Sequence, residues 1–268
     1  MTSWVAFVLG LLAGIIAAIA VVAVRRRTRA GPSRAASSPA PTGTAERAEI
    51  ASKVAHELKN PIMSVKGLAS TGARLYESMS DEERLEFFQL IDREADRLKV
   101  IADETSTAMK IDAGQLTYVM RPEDLGKLVE EVAWHAPVGD HPMVVETEAG
   151  LITPIDRIRI SEVLANLIDN AAKYSPPGSP IEVRAYRGGP KGSAVVEVAD
   201  RGPGIPPEQR EVVFAKFATH RPPGYEETPG AGLGLFICRA HVLAHGGRLD
   251  IEGQAGQGTM LRVTLQGG

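Results

Sequence analysis

The sequence predicts a multi-domain chain: an N-terminal transmembrane helix, an all-α helical hairpin that pairs into a dimeric four-helix bundle, and an α+β sandwich. Three observations carry this expectation. Trp4 to Val24 is an uncharged apolar run; two amphipathic helical stretches follow it, separated by a capping signal; and after Gly114 the pattern changes to short β-rich runs interleaved with helices. The 268 residues suffice for two compact domains with extensions.

The apolar run is 21 residues long, and a helix of that length spans about 30 Å, the thickness of a bilayer's hydrocarbon core. A secretory signal would place positive charge ahead of a shorter apolar stretch, whereas Met1, Thr2 and Ser3 carry no basic side chain. Arg25, Arg26, Arg27 and Arg29 follow directly, and the positive-inside bias puts that flank and everything downstream in the cytoplasm. The expectation is a single-pass protein of the inner (cytoplasmic) membrane, with residues 1–30 as anchor and no extracytoplasmic sensing domain. Residues 31–44, GPSRAASSPAPTGT, lack any hydrophobic period and read as a flexible linker.

Beyond it Ile50, Val54, Leu58, Ile62, Val65 and Leu68 recur every three or four residues, the stripe of an amphipathic helix reaching about Tyr76. Ser80 with Glu83 forms a capping box that opens a second helix, whose stripe is Leu85, Phe88, Ile91, Ala95, Leu98, Ala102, Thr105 and Met109. One hairpin buries too little surface to stand alone. Pairing two hairpins in a homodimer covers it, as would packing on the downstream domain. Strands are expected at Leu116–Met120, Met143–Thr147, Ile181–Tyr186, Val195–Ala199 and Leu261–Leu265, with helices near Leu125–Trp134, Arg157–Tyr174 and Gly232–Ala244. The boundary between the two domains falls near Asp112 to Gln115. A net charge of −3 disfavours nucleic acid as a partner, and the single cysteine, Cys238, sits in an apolar run and reads as packing.

Five short motifs carry chemistry. In His56-Glu57-Leu58-Lys59-Asn60-Pro61 the imidazole is two residues from both Val54 and Leu58, about 200° around the helix, and so faces away from the buried stripe. An exposed imidazole beside a carboxylate is a plausible nucleophile, and Pro61 bends the helix just beyond it. Asn166, Asn170 and Lys173 share one helix face, where an amide oxygen suits Mg²⁺ and an ammonium suits phosphate. A solvated polar face is the bland alternative. Asp200, Gly202 and Gly204 follow a strand; a carboxylate there accepts adenine's exocyclic amine and repels guanine's carbonyl. Gly230, Gly232 and Gly234 open a helix whose N-terminal N–H groups suit phosphates. Gly256-Gln257-Gly258-Thr259 forms a tight turn before the last strand. The long segment between the third and fourth motifs, with Phe214 and Phe217 embedded, reads as a mobile lid.

In this order the motifs resemble the phosphoacceptor, asparagine and three glycine boxes of bacterial two-component sensor histidine kinases, with Phe214 to Phe217 in place of the phenylalanine box. The resemblance spans about Ala45 to Leu265. It implies a dimerisation and histidine phosphotransfer hairpin at 45–112 and, at 113–268, a catalytic ATP-binding domain of the gyrase, heat-shock chaperone, kinase and mismatch-repair superfamily. It further implies ATP and Mg²⁺ as cofactors, a cognate response regulator as partner, and autophosphorylation of His56. Glu57 would be the base partner of His56, Asn60 would position water for dephosphorylating the regulator, Asn170 would hold Mg²⁺ and Asp200 adenine. Asn166, Lys173, Gly202, Gly204, Gly230, Gly232, Gly234 and Thr259 complete the ATP site. Relatives that hydrolyse ATP carry a glutamate where Asn166 stands, and an amide cannot act as general base, which favours a kinase over an ATPase. The chain departs from the family after Phe217, where Ala218, Thr219, His220 and Arg221 replace the usual aromatic and arginine. A scaffold that binds ATP without catalysis, and a chaperone-like ATPase, are the competing readings.

Overall fold

The computed structural model describes residues 42–266 apart from 189–191, 219, 227, 229, 254 and 255, with side chains from Ser52 onward. The expected membrane anchor lies outside the described residues; among those described, no helix is long and apolar enough to cross a membrane. Helix α1 (Thr42–Leu75) begins inside the segment expected to be linker, so Thr42 to Thr44 are helical. Helix α2 (Asp81–Asp112) runs back along it.

Ser80 caps α2 reciprocally: its hydroxyl accepts from the Glu83 N–H at 3.2 Å, and the Glu83 carboxylate accepts from the Ser80 N–H at 2.7 Å. The turn is closed by Arg84, which donates to the Tyr76 carbonyl at 2.9 and 3.0 Å and lies 4.4 Å above the Tyr76 ring. Pro61 is accommodated inside α1 and buried.

The remainder is a five-stranded mixed sheet with three helices on one face. The sheet comprises β2 (Met143–Thr147), β4 (Ile181–Arg187), β5 (Ala194–Ala199), β6 (Arg248–Glu252) and β7 (Met260–Leu265), in the order β2-β4-β5-β7-β6. Only the β2–β4 pair is parallel. Helices α3 (Leu125–His135), α4 (Arg157–Tyr174) and α5 (Gly234–Ala244) cover it. Their apolar stripes meet its alternate residues, Leu164, Leu167 and Ala171 of α4 lying in one core with Val183, Val196 and Val198. Cys238 is buried in this core, which pushes its thiol pKa up and leaves it inert, in agreement with a packing role. On the opposite face Glu197 is buried and satisfied by Arg262 at 2.7 Å and by the Tyr186 hydroxyl at 2.9 Å.

The expected strand at Leu116–Met120 is not formed. The Val119 N–H donates to Asp156 Oδ2 at 2.9 Å and the Tyr118 hydroxyl meets His241 Nδ1 at 3.0 Å, so this segment is tied by side chains and forms no ladder. The pairing begins just after it. Strand β1 (Arg121–Asp124) joins β3 (Ile152–Ile155) in a separate two-stranded ribbon in which Pro122 faces Pro154. Prolines cannot donate to a central ladder, which confines these residues to an isolated edge pair.

The hairpin also packs on the sandwich. Ile101 and Ala108 of α2 are buried with Phe217, Ala231, Leu233 and Ile237, and Val54, Leu58 and Ile111 close the cluster. Lys216 spans the seam, paired with Asp112 at 2.5 Å and lying 5.0 Å from the Phe236 ring centroid. Ile101 and Ala108 lie off the stripe read from the sequence. Leu85 and Phe88 on that stripe stay 58% and 62% exposed. The hairpin thus has two apolar faces, one covered by its own chain and one left open.

Candidate active site

A cavity of about 470 Å³ opens between the polar face of α4, the end of β5, the lid and α2. It collects Asn166, Asn170 and Lys173 from α4, Asp200 and Gly204 after β5, Gly230, Gly232 and Gly234 before and at the start of α5, and Thr259 before β7. Gly202 stands behind this wall, its N–H donating to Asp200 Oδ1 at 2.7 Å. A side chain at Gly202 would collide with the Tyr174 carbonyl, so glycine is what lets the loop pass under the end of α4.

Asp200 forms the floor. Its Oδ1 also accepts from the Thr259 N–H at 3.0 Å. Burial raises the Asp200 pKa, while the Gly202 and Thr259 donors and the Arg201 charge oppose the shift. Along α4 the Asn170 amide N–H₂ donates to Asn166 Oδ1 at 2.9 Å, turning the Asn170 carbonyl oxygen outward as a hard donor. Lys173 is held by Asp169 at 2.5 Å. The Asn166 side chain packs against Gly234, where any Cβ would overlap it.

Gly232 has φ of +68° and its missing Cβ would lie 2.5 Å from the Ala218 carbonyl, so two independent constraints hold the lid base against α5. Gly232→Ala is expected to lower stability by about 2 kcal/mol or more, read as a fall in the thermal midpoint, with weaker nucleotide binding. The phenylalanine pair divides: Phe214 enters the sandwich core and Phe217 the hairpin cluster. His220 and Arg221 lie on the cavity wall where the sequence departs from the family pattern.

His56, Glu57 and Asn60 are not part of this cavity. His56 and Asn60 are exposed on α1 and Glu57 is half-buried. Among the described residues no hydrogen bond joins Glu57 to His56, since adjacent helical side chains diverge by about 100°. The structure gathers the nucleotide-type residues and leaves the imidazole apart from them.

Sequence reasoning missed the far wall. Arg93, Arg97, Val100, Ile101 and Glu104 project from one face of α2 into the cavity. Burial drives the Glu104 pKa from 4.5 up to about 7; Lys173 opposes the shift and Asp169 adds to it. The Glu104 charge in turn adds to the raised pKa of the buried Cys238 thiol. The carboxyl binds a proton more tightly docked than free, so docking of α2 gains strength as pH falls through 7 and gains no more below about 4.5. A fluorescence pair on hairpin and sandwich should report more docking near pH 6 than near pH 8. Glu104→Gln should remove the difference.

Two family models match the chain: residues 46–114 match the His Kinase A (phospho-acceptor) domain, and residues 155–267 the histidine kinase-, DNA gyrase B- and HSP90-like ATPase. The signal transduction histidine-protein kinase/phosphatase MprB of Mycobacterium tuberculosis is 33% identical over 82% of this chain and 45% of its own length. The crystal structure of full-length ShkA in complex with AMPPNP is 25% identical, with a TM-score of 0.58 over 81% of this chain and 45% of that one. The crystal structure of histidine kinase ThkA in complex with response regulator protein TrrA is 25% identical with a TM-score of 0.59, over 81% of this chain and 60% of that one. The chain spans less than half the length of the curated relatives it matches first. With a phospho-acceptor hairpin and a gyrase-like ATPase sandwich joined in one chain, and with these relatives, the protein belongs to the two-component sensor histidine kinases.

Proposed function

We propose that the chain is a membrane-anchored, ATP-dependent protein-histidine kinase that phosphorylates its own His56 and passes the phosphoryl group to an aspartate of a response regulator. The observation that carries this reading is the pairing of a polar cavity floored by Asp200 with an exposed imidazole on a hairpin of the same chain. The Asp200 carboxylate accepts the adenine amine, and Lys173 with the glycines before α5 meets the phosphates. Asn170 offers one oxygen, which fits Mg²⁺ because that ion is commonly held by one or two protein ligands and otherwise by phosphates and water. The ion would neutralise phosphate charge.

The lone pair of a neutral His56 ring nitrogen forms the bond to the γ-phosphorus while the bond from that phosphorus to the β,γ-bridging oxygen breaks, and ADP departs with the electron pair. Glu57 forms no hydrogen bond with His56 in this arrangement and would have to turn toward the ring during transfer to take up its other N–H. In the second reaction a regulator carboxylate oxygen attacks the phosphorus and the P–N bond breaks. Asn166, lacking basicity, leaves water unactivated during the first reaction. Since His56 lies outside the cavity, hairpin and sandwich must rearrange before transfer. The open face of Leu85, Phe88 and Met109 pairs with a second copy in a four-helix bundle. The apolar run at Trp4 to Val24 holds the assembly at the cytoplasmic membrane.

The test is incubation of the full chain with γ-labelled ATP and Mg²⁺. Acid-labile, base-stable label on the protein is expected, and it should pass to a receiver domain. ATP binding without label would favour the scaffold reading. The spacing of Glu57 and Asn60 also supports phosphatase action on the regulator. Asn60→Ala should then slow regulator dephosphorylation by about tenfold or more while leaving label on His56; an unchanged dephosphorylation rate would sink that activity.

A further inference from the structure

The second hairpin helix contributes charge to a cavity that belongs, by the sequence motifs, to the sandwich. Arg93, Arg97, Ile101 and Glu104 lie four, four and three residues apart, so they share one face of α2. Ile101 is buried against Phe217, Leu233 and Ile237, which fixes the helix one turn from Arg97. Arg97 is half-buried, and among the described residues no carboxylate forms an ion pair with it or with Arg93. Of the cavity's other cations, Lys173 shares its charge with Asp169 at 2.5 Å and Arg221 donates to the Gly230 carbonyl at 3.4 Å, so Arg97 and Arg93 add to them rather than replace them. A partly desolvated guanidinium without a partner is costly unless an anion meets it, and its fork suits phosphate oxygens. Glu104 stands at the other end of the same face, about two turns from Arg97, so the arginines are the end that an anion meets.

We propose that Arg97, with Arg93, binds the phosphate chain of a nucleoside di- or triphosphate while the hairpin is docked, making α2 a wall of the nucleotide site. This rests on the nucleotide reading of the cavity. It couples occupancy to domain arrangement: the docked state holds nucleotide through its phosphates, and undocking, which His56 needs for transfer, gives up the α2 contacts.

The experiment is calorimetric titration of the full chain and its variants with ADP and, separately, adenosine. Arg97→Ala should weaken ADP by about tenfold, and adding Arg93→Ala should weaken it further, while adenosine affinity stays within about twofold of the parent. Arg97→Lys should restore part of the loss. Unchanged ADP affinity in the double variant would overturn the proposal. Equal weakening of ADP and adenosine would also overturn it, because that is the mark of lost packing. A parent chain that binds neither ligand would instead remove the nucleotide reading on which the proposal stands.

Discussion

Replacing His56 by Gln is expected to abolish γ-phosphate incorporation, a loss of at least about a thousandfold, because the amide offers no lone pair of comparable nucleophilicity. Nucleotide affinity should stay near that of the parent, since His56 is exposed on α1 and outside the cavity. That separation is informative. A variant that lost both label and binding would place His56 in the fold or the nucleotide site, against the geometry described. The measurement pairs labelling with titration on the same preparation.

Asp200→Asn is expected to weaken ATP by roughly ten- to a hundredfold, the worth of a hydrogen bond to a charged group. The asparagine oxygen can still accept from Gly202 and Thr259, so the loop keeps its shape. Its amide N–H₂ then faces the adenine amine, donor against donor. The same N–H₂ can donate to the carbonyl that guanine presents there, so GTP should gain on ATP. Parallel titrations with ATP and GTP read both effects. Unchanged preference would mean that Asp200 does not meet the base.

The capping box at Ser80 and Glu83 was legible because it is local: both partners lie within one turn. Helix α4 was legible from its period, and its polar face, with Asn166, Asn170 and Lys173, proved to line the cavity. The β1–β3 ribbon was not, since Pro122 and Pro154 argue against strands unless their mutual pairing is known. Nor was the exchange of a strand for the side-chain tether at Tyr118 and Val119, whose partners Asp156 and His241 are distant in sequence. The second apolar face of the hairpin, at Ile101 and Ala108, was masked by a stripe that fits the helical period equally well. For the same reason the α2 wall of the cavity could not be read: Arg93 and Arg97 look like ordinary surface charge until the fold brings them opposite α4.

The phosphoryl group of ATP is expected to come to rest on one imidazole, that of His56. Mass spectrometry at neutral pH, mapping the modified residue after incubation with ATP and Mg²⁺, tests it most directly. The predicted result is phosphate on the peptide containing His56 and on that side chain alone. Phosphate confined to serine or threonine, or an unmodified chain with ATP bound, would contradict it.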